Sequence, residues 1–164
     1  MTETNMRQEL AQLGSGAHAL AMQLLGDRDD AFDAVQDAMA QTLATPERYD
    51  PRKGALKPWF MRVVRNRCID MLRGRRAADT APDEVVHPGP GPEAAVERDQ
   101  RAAGVRRALK SLKPAQREIV VLRDYLDLSY ADIAAVLDVA QGTVMSRLHR
   151  ARLALKEAVE SDDG

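Results

Sequence analysis

Apolar positions recur at helical spacing through most of the chain, and breaks in that spacing mark where one helix gives way to the next. Leu10, Leu13, Ala17, Leu20 and Leu24 alternate three and four apart, which predicts an amphipathic first helix that Gly26 can stop. Gly14 and Gly16 weaken its interior. The acidic run at 27–30 suits the start of a second helix, which would bury Phe32, Val35, Met39 and Leu43. Its other face shows Asp33, Gln36, Asp37 and Gln41. Residues 45–57 are irregular because Pro46, Pro51 and Gly54 break any helix. Pro58 fits the first turn of a third helix that ends at Gly74.

In that third helix Phe60, Val63, Val64, Cys68, Met71 and Leu72 face inward. Arg62, Arg65, Asn66, Ile69 and Arg73 share the opposite face, a basic stripe beside a loop bearing Arg52, Lys53 and Lys57. Trp59 falls on the border between the faces. Arg67 falls near the apolar side, where an ion pair with the acidic second helix would account for it. Residues 77–92 are rich in Pro, Gly and acid with no period, and read as a flexible linker. Their prolines remove amide donors and no strand precedes them, so they do not form a nucleotide-binding loop.

A second domain begins near Glu93 with a helix to about Ser111 and another over 114–124. Ser129 through Asp132 then has the form of a capping box, with Ile133, Ala134 and Leu137 on one stripe. A turn falls at residues 138–140, where Asp tolerates a left-handed backbone. From Gln141 a last helix places Val144, Leu148, Ala151 and Leu155 on one side. Gly142, Thr143, Ser146, His149 and Arg150 lie opposite, flanked by Met145, Arg147 and Arg152. Small polar residues in front and cations at the sides suit a DNA major groove, which makes this a helix-turn-helix with a reading helix. An ordinary helical hairpin with solvated arginines is the plainer alternative.

Composition bounds the class. In 164 residues with two composition breaks, two small domains of about seventy residues are expected rather than one. With one Trp, three Tyr and two Phe, the cores must be built from aliphatic side chains. One cysteine excludes an internal disulfide and fits a reducing compartment. No segment is apolar enough to cross a membrane and the N-terminus lacks a signal peptide's pattern, so a cytoplasmic protein is expected. The formal net charge of −1 hides segregation: residues 1–50 carry −6, 51–78 carry +8, 79–100 carry −5 and 101–164 carry +2. A block of +8 in so short a stretch argues for nucleic acid.

Little supports catalysis. His18, His87 and His149 are scattered without metal-ligand spacing, so neither a metal nor a cofactor is expected. Cys68 is simplest as a buried small hydrophobe. The Asp27–Asp33 cluster lacks the Glu-x-x-His pairs of a di-metal site. No nucleophile and base can be paired, and the chain is not expected to be an enzyme.

Read in order, LLGDRDDAFDAVQDAM, RYDPRKGALKPWF, VVRNRCIDMLRGRR and LKPAQREIVVLRDYLDLSYADIAAVLDVAQGTVMSRLHRARLAL resemble the sigma-70 family, specifically the two-domain extracytoplasmic-function (ECF) sigma factors. The resemblance covers about residues 17–76 and 94–157. It implies an all-α fold: a three- to four-helix region 2-like domain over 1–76, a linker over 77–92, and a four-helix region 4-like helix-turn-helix domain over 93–164. It also implies the function of a sigma factor, which binds core RNA polymerase and recognises and melts promoter DNA.

Under that resemblance Asp33, Gln36 and Asp37 fall on the polymerase-binding segment. The basic helix and its loop fall on the part that opens the minus-ten element. Leu56, Trp59 and Asn66 would line a pocket for a flipped base, while Arg52, Lys53, Arg62, Arg65 and Arg73 hold phosphates. Gln141, Thr143, Met145, Ser146, Arg147, His149 and Arg150 would read the minus-thirty-five element, with Met145, Ser146 and His149 nearest the bases. The acidic linker resembles the segment that threads the polymerase near the RNA exit path. An anti-sigma partner is implied as well, and a monomer when free.

Three positions depart from the family pattern. Met145 stands where Lys or Arg is usual, Ala140 replaces a frequent Pro, and Leu56 stands where an aromatic is common. The alternatives are a stand-alone dimeric helix-turn-helix regulator, for which no sustained heptad is visible, and a helical scaffold protein without a nucleic-acid role.

Overall fold

Local capping sets the helix boundaries in the computed structural model, which describes residues 1–78 and 100–162. The Thr2 hydroxyl accepts from the Asn5 amide at 3.2 Å and opens α1 (Glu3–Leu25). Gly26, at φ 72°, closes it by donating its amide to the Met22 carbonyl. The Asp27 carboxylate accepts from the Asp30 amide at 2.9 Å to start α2 (Arg28–Ala44). Truncating such a cap costs about 1 kcal/mol. Two short 3-10 turns, Pro46–Arg48 and Pro51–Lys53, carry the chain to α3 (Leu56–Ala78).

The second half comprises α4 (Gln100–Ser111), α5 (Pro114–Val120), a π turn over Val121–Tyr125, α6 (Tyr130–Leu137) and α7 (Gln141–Asp162). The Ser129 hydroxyl accepts from the Asp132 amide at 3.1 Å, and Asp138 sits at φ 56° in the turn between α6 and α7. The helix-turn-helix therefore forms at the expected residues. The described chain is all-α, with three helices in its first half and four in its second. Most of the segment read as a linker lies outside the described residues.

Two expectations about helix faces and ends need correction. Phe32 is not in the core: it is 56% exposed. The inner stripe of α2 is Ala31, Ala34, Val35, Ala38 and Thr42, so Phe32 stands one residue, about 100°, off it. Met39 and Leu43 are half-buried. Helix α3 also begins two residues before Pro58 and runs through Gly74 to Ala78. Arg75, beyond that glycine, pairs with Asp30 of α2 and ties the added turn down.

The two halves pack directly on one another. A single apolar cluster includes Leu10, Leu20, Phe60 and Met61 from the first half and Ile119, Leu122, Leu126 and Ile133 from the second. Gly16 permits the approach, since a Cβ there would stand 2.7 Å from Leu126 Cδ2. Around this seat Lys57 Nζ donates to the Leu126 carbonyl, and Arg117 Nη2 donates to the Gln23 carbonyl at 3.3 Å. Arg65 forms an ion pair with Glu118.

Cys68 is fully buried on α3, and burial is the main reason its thiol is pushed up to about 12. Essentially no thiolate then exists at neutral pH. The native protein is expected to resist a maleimide that reacts readily with the urea-unfolded chain, a difference mass spectrometry reads directly. Equal labelling in both states would show that the α3 core opens freely.

Candidate functional site

The outer face of α2 is the first surface to consider. Asp33, Gln36 and Asp37 are all exposed, as the helical register requires. Asp37 Oδ2 lies 3.0 Å from Arg67 Nη2 of α3, which gives Arg67 the ion pair its position suggested. The side chains of Asp33 and Gln36 make no hydrogen bond among the described residues, and both are exposed to solvent. Phe32 adds an aromatic ring to this face.

The second surface combines the loop before α3 with the outer side of that helix. Asp50 organises the loop. Its Oδ1 accepts from the Arg52 amide at 3.0 Å and from Arg52 Nε at 3.1 Å, and the guanidinium holds the carboxyl below its usual range. Tyr49 is buried and its hydroxyl donates to the Gly54 carbonyl at 2.9 Å. Gly54 itself takes φ 155° and ψ 178°, a backbone region open almost only to glycine. The Tyr49 ring packs at 5.4 Å and 57° against Trp59. The loop is thus a pinned turn that carries Arg52 and Lys53 outward.

Trp59 stands between two cavities. One, of about 300 Å³, is lined by Gln41, Thr42, Arg48, Asn66 and Asp70 among others. The second, of about 330 Å³, lies under Tyr49, Asp50, Lys53, Gly54 and Arg62. Asp132 and Ala135 of α6 form part of its wall. Both volumes suit a planar group the size of a base, with an indole wall for stacking and polar edges for recognition.

The basic stripe divides under this packing. Arg62 and Arg73 are exposed at the helix surface, and Asn66 is exposed at a cavity rim. Arg65 is different, because its side chain is 23% exposed and faces Glu118 of α5. The expected place of Leu56 in the pocket also fails: it is 2% exposed and lines neither cavity. As the first residue of α3 it is drawn into the core, and Trp59 and Asn66 are what remain of the expected trio at the cavity.

Glu118 escaped notice in the sequence. It is 4% exposed, and burial raises its pKa while Arg65 opposes the rise. A carboxylate directly beside the apolar run 119–122 is the signal that could have exposed it. Arg48 and Tyr49 were likewise missed, although both flank the proline-rich loop that carries the expected cations.

The third surface is the front of α7. Gln141, Met145, Ser146, Arg147, His149 and Arg150 are exposed, whereas Thr143 is half-buried. Ser146 Oγ donates to the Thr143 carbonyl at 3.1 Å. Behind them Val144, Leu148 and Ala151 are buried, which holds the exposed row outward. Arg152 is taken by Asp124, and Arg123 lies 5.2 Å from the Tyr130 ring centre. The structure brings the loop and α3 residues together, and separately the α7 residues, on two faces of one molecule.

Comparison with known proteins covers both faces. The profile of Sigma-70 region 2 matches residues 10–78, and that of Sigma-70 region 4 matches residues 103–155. The chain is 44% identical over 140 residues to the ECF RNA polymerase sigma factor SigM of Mycobacterium tuberculosis, spanning 84% of this chain and 68% of that one. It is 36% identical over 145 residues to the ECF sigma factor SigE of Mycolicibacterium smegmatis, spanning 85% of this chain but 56% of that relative. Among solved structures, the sigma factor RpoE bound to the anti-sigma factor NepR from Bartonella quintana superposes with a TM-score of 0.78 at 29% identity, covering 96% and 98% of the two chains. CnrH in complex with the cytosolic domain of CnrY gives a TM-score of 0.71 at 25% identity, covering 98% and 91%.

Proposed function

The chain belongs to the sigma-70 family of RNA polymerase sigma factors, in its ECF group, and from that premise we propose how its surfaces divide the work of directing core polymerase to promoters. Residues 1–76 form the half that binds core polymerase and opens the minus-ten element, and residues 93–164 form the half that reads the minus-thirty-five element. Asp33, Gln36 and Asp37 meet the polymerase. Arg52, Lys53, Arg62, Arg65 and Arg73 hold strand phosphates, and a base turned out of the stack enters beside Trp59 and Asn66. Gln141, Thr143, Met145, Ser146, Arg147, His149 and Arg150 face the major groove.

The observation that carries this reading is the pinned cationic loop and Trp59 cavity in the same chain as an exposed reading helix, each within its matched family region. It acts by binding rather than by catalysis of its own, and so works in the cytoplasm where polymerase and promoter meet. No helix among the described residues is long and apolar enough to cross a membrane. An anti-sigma partner fits as well, because the structural relative RpoE was solved with one.

Run-off transcription with purified core polymerase on a pool of genomic fragments tests the proposal. The chain should add discrete promoter-dependent transcripts. Asp33→Ala with Gln36→Ala should abolish most of that output while leaving the thermal midpoint within about 2 °C, since both side chains are exposed. A fully active double variant would remove the α2 face from the polymerase interface. The isolated chain should run as a monomer and bind DNA weakly and salt-sensitively. A stable dimer that binds one operator tightly would favour a stand-alone regulator instead.

A further inference from the structure

The front of α7 carries one large apolar side chain among groups that are otherwise small or polar. Met145 is 56% exposed. It has no place in the core, because Val144, Leu148 and Ala151 fill the buried side of the helix. A single exposed apolar residue is ordinary on a protein surface, so its neighbours decide what it means. Gly142, Met145, Ser146 and His149 recur at i, i+3, i+4 and i+7 and share one exposed stripe. A Cβ at Gly142 would meet nothing within 4 Å, so no packing within the chain explains the missing side chain. Its absence leaves the backbone open beside Met145. The Ser146 hydroxyl donates its proton to the Thr143 carbonyl and has none left for a base. In its first two turns the stripe is therefore bare backbone, a thioether and a hydroxyl that can only accept.

We propose that Met145 sets the base preference at one position of the minus-thirty-five element, and that the base it takes is thymine, through the C5-methyl group. The inference deepens the promoter reading of α7 and rests on it. Each base pair shows the major groove its own set of groups, and only thymine adds a methyl to them. Against Met145 that methyl and the thioether leave water together. Guanine presents two acceptors there, O6 and N7, and Met145 has no donor for either. The amino groups of adenine and cytosine meet only a weak sulfur acceptor. A base edge pressed against this side chain without a partner loses its water and gains nothing in return. Discrimination thus comes as much from rejecting guanine as from attracting thymine. Gly142 sets the depth, since a bare backbone lets the helix settle until the flexible Met145 side chain spans the remaining gap.

The test begins with run-off transcription by core polymerase and the native chain, which recovers promoters. Each thymine of the minus-thirty-five element, on either strand, is then replaced singly by deoxyuridine, which removes only the methyl. Competition binding compares these fragments for polymerase carrying the native chain, Met145→Ala or Met145→Arg. Circular dichroism confirms that both variants fold, as an exposed position allows. With the native chain one deoxyuridine should weaken binding about fourfold, the worth of one buried methyl. Met145→Ala, too short to span the gap, should lose that sensitivity at the same position. Met145→Arg brings paired donors and should prefer guanine over thymine there by about tenfold.

Transcripts from promoters with no methyl-sensitive thymine in the element would overturn the proposal. Equal sensitivity in Met145→Ala, or a thymine preference kept by Met145→Arg, would overturn it as well. Absence of any run-off transcript with the native chain would instead overturn the sigma-factor reading, and the inference with it.

Discussion

Phe60→Ala is expected to lower stability by about 3–5 kcal/mol and the thermal midpoint by about 10 °C. The ring is fully buried in the shared core, where α1 and α2 contribute many of their inward positions as alanine: Ala17, Ala21, Ala31, Ala34 and Ala38 are all 0% exposed. Those small residues let helices approach closely, and large side chains such as Leu10, Leu20, Met61 and Leu122 fill the remaining space with Phe60. Alanines have no reach with which to collapse into the hole a lost phenyl would leave, so the cavity term adds to the lost burial. Phe32→Ala provides the internal control. The chain's other Phe is 56% exposed, and its loss should change stability by no more than about 0.5 kcal/mol. Urea unfolding of both variants checks the contrast. Comparable losses would mean that the outer face of α2 is covered in solution.

That contrast also shows where the sequence was legible. The stripe of α2 was drawn through its large residues, yet the helix turns its alanines inward, because in a tightly packed helical unit small side chains occupy the closest approach. Ends governed by local chemistry were read correctly: Ser129 caps α6, Gly26 ends α1, and Asp138 takes the left-handed turn before the reading helix. The Arg67–Asp37 pair was legible too, since a cation near an apolar stripe needs an anion from the adjoining helix. What remained hidden was long-range. Gly16 looked like a weakness in α1 and is the seat of Leu126. Glu118 satisfies its charge through Arg65 of the other half, and no period in either segment encodes that meeting. Two loosely tethered modules were therefore expected where the halves share a core.

Removing Arg62 and Arg73 together is expected to produce the largest loss at the promoter. Both are exposed on the outer face of α3, and neither has an ion-pair partner among the described residues. Each can therefore meet a phosphate without first giving up a carboxylate, unlike Arg65. Every phosphate neutralised on a single strand releases counterions, so binding falls with salt by a slope of roughly 0.7 per contact. In the polymerase-bound state, Arg62→Ala with Arg73→Ala should weaken capture of the melted strand by about tenfold to a hundredfold. It should also make the dependence of log affinity on log salt shallower by about 1.4. Stability should hardly move, because no buried contact is lost. Arg7→Ala is the matched control: its side chain is 60% exposed and pairs only with Glu3 of the same helix. Abortive transcription from a pre-melted template across a salt series supplies the slopes. If the double variant kept the native slope, the outer face of α3 would not be touching strand phosphates, and the cations that do would have to be sought on the loop at Arg52 and Lys53.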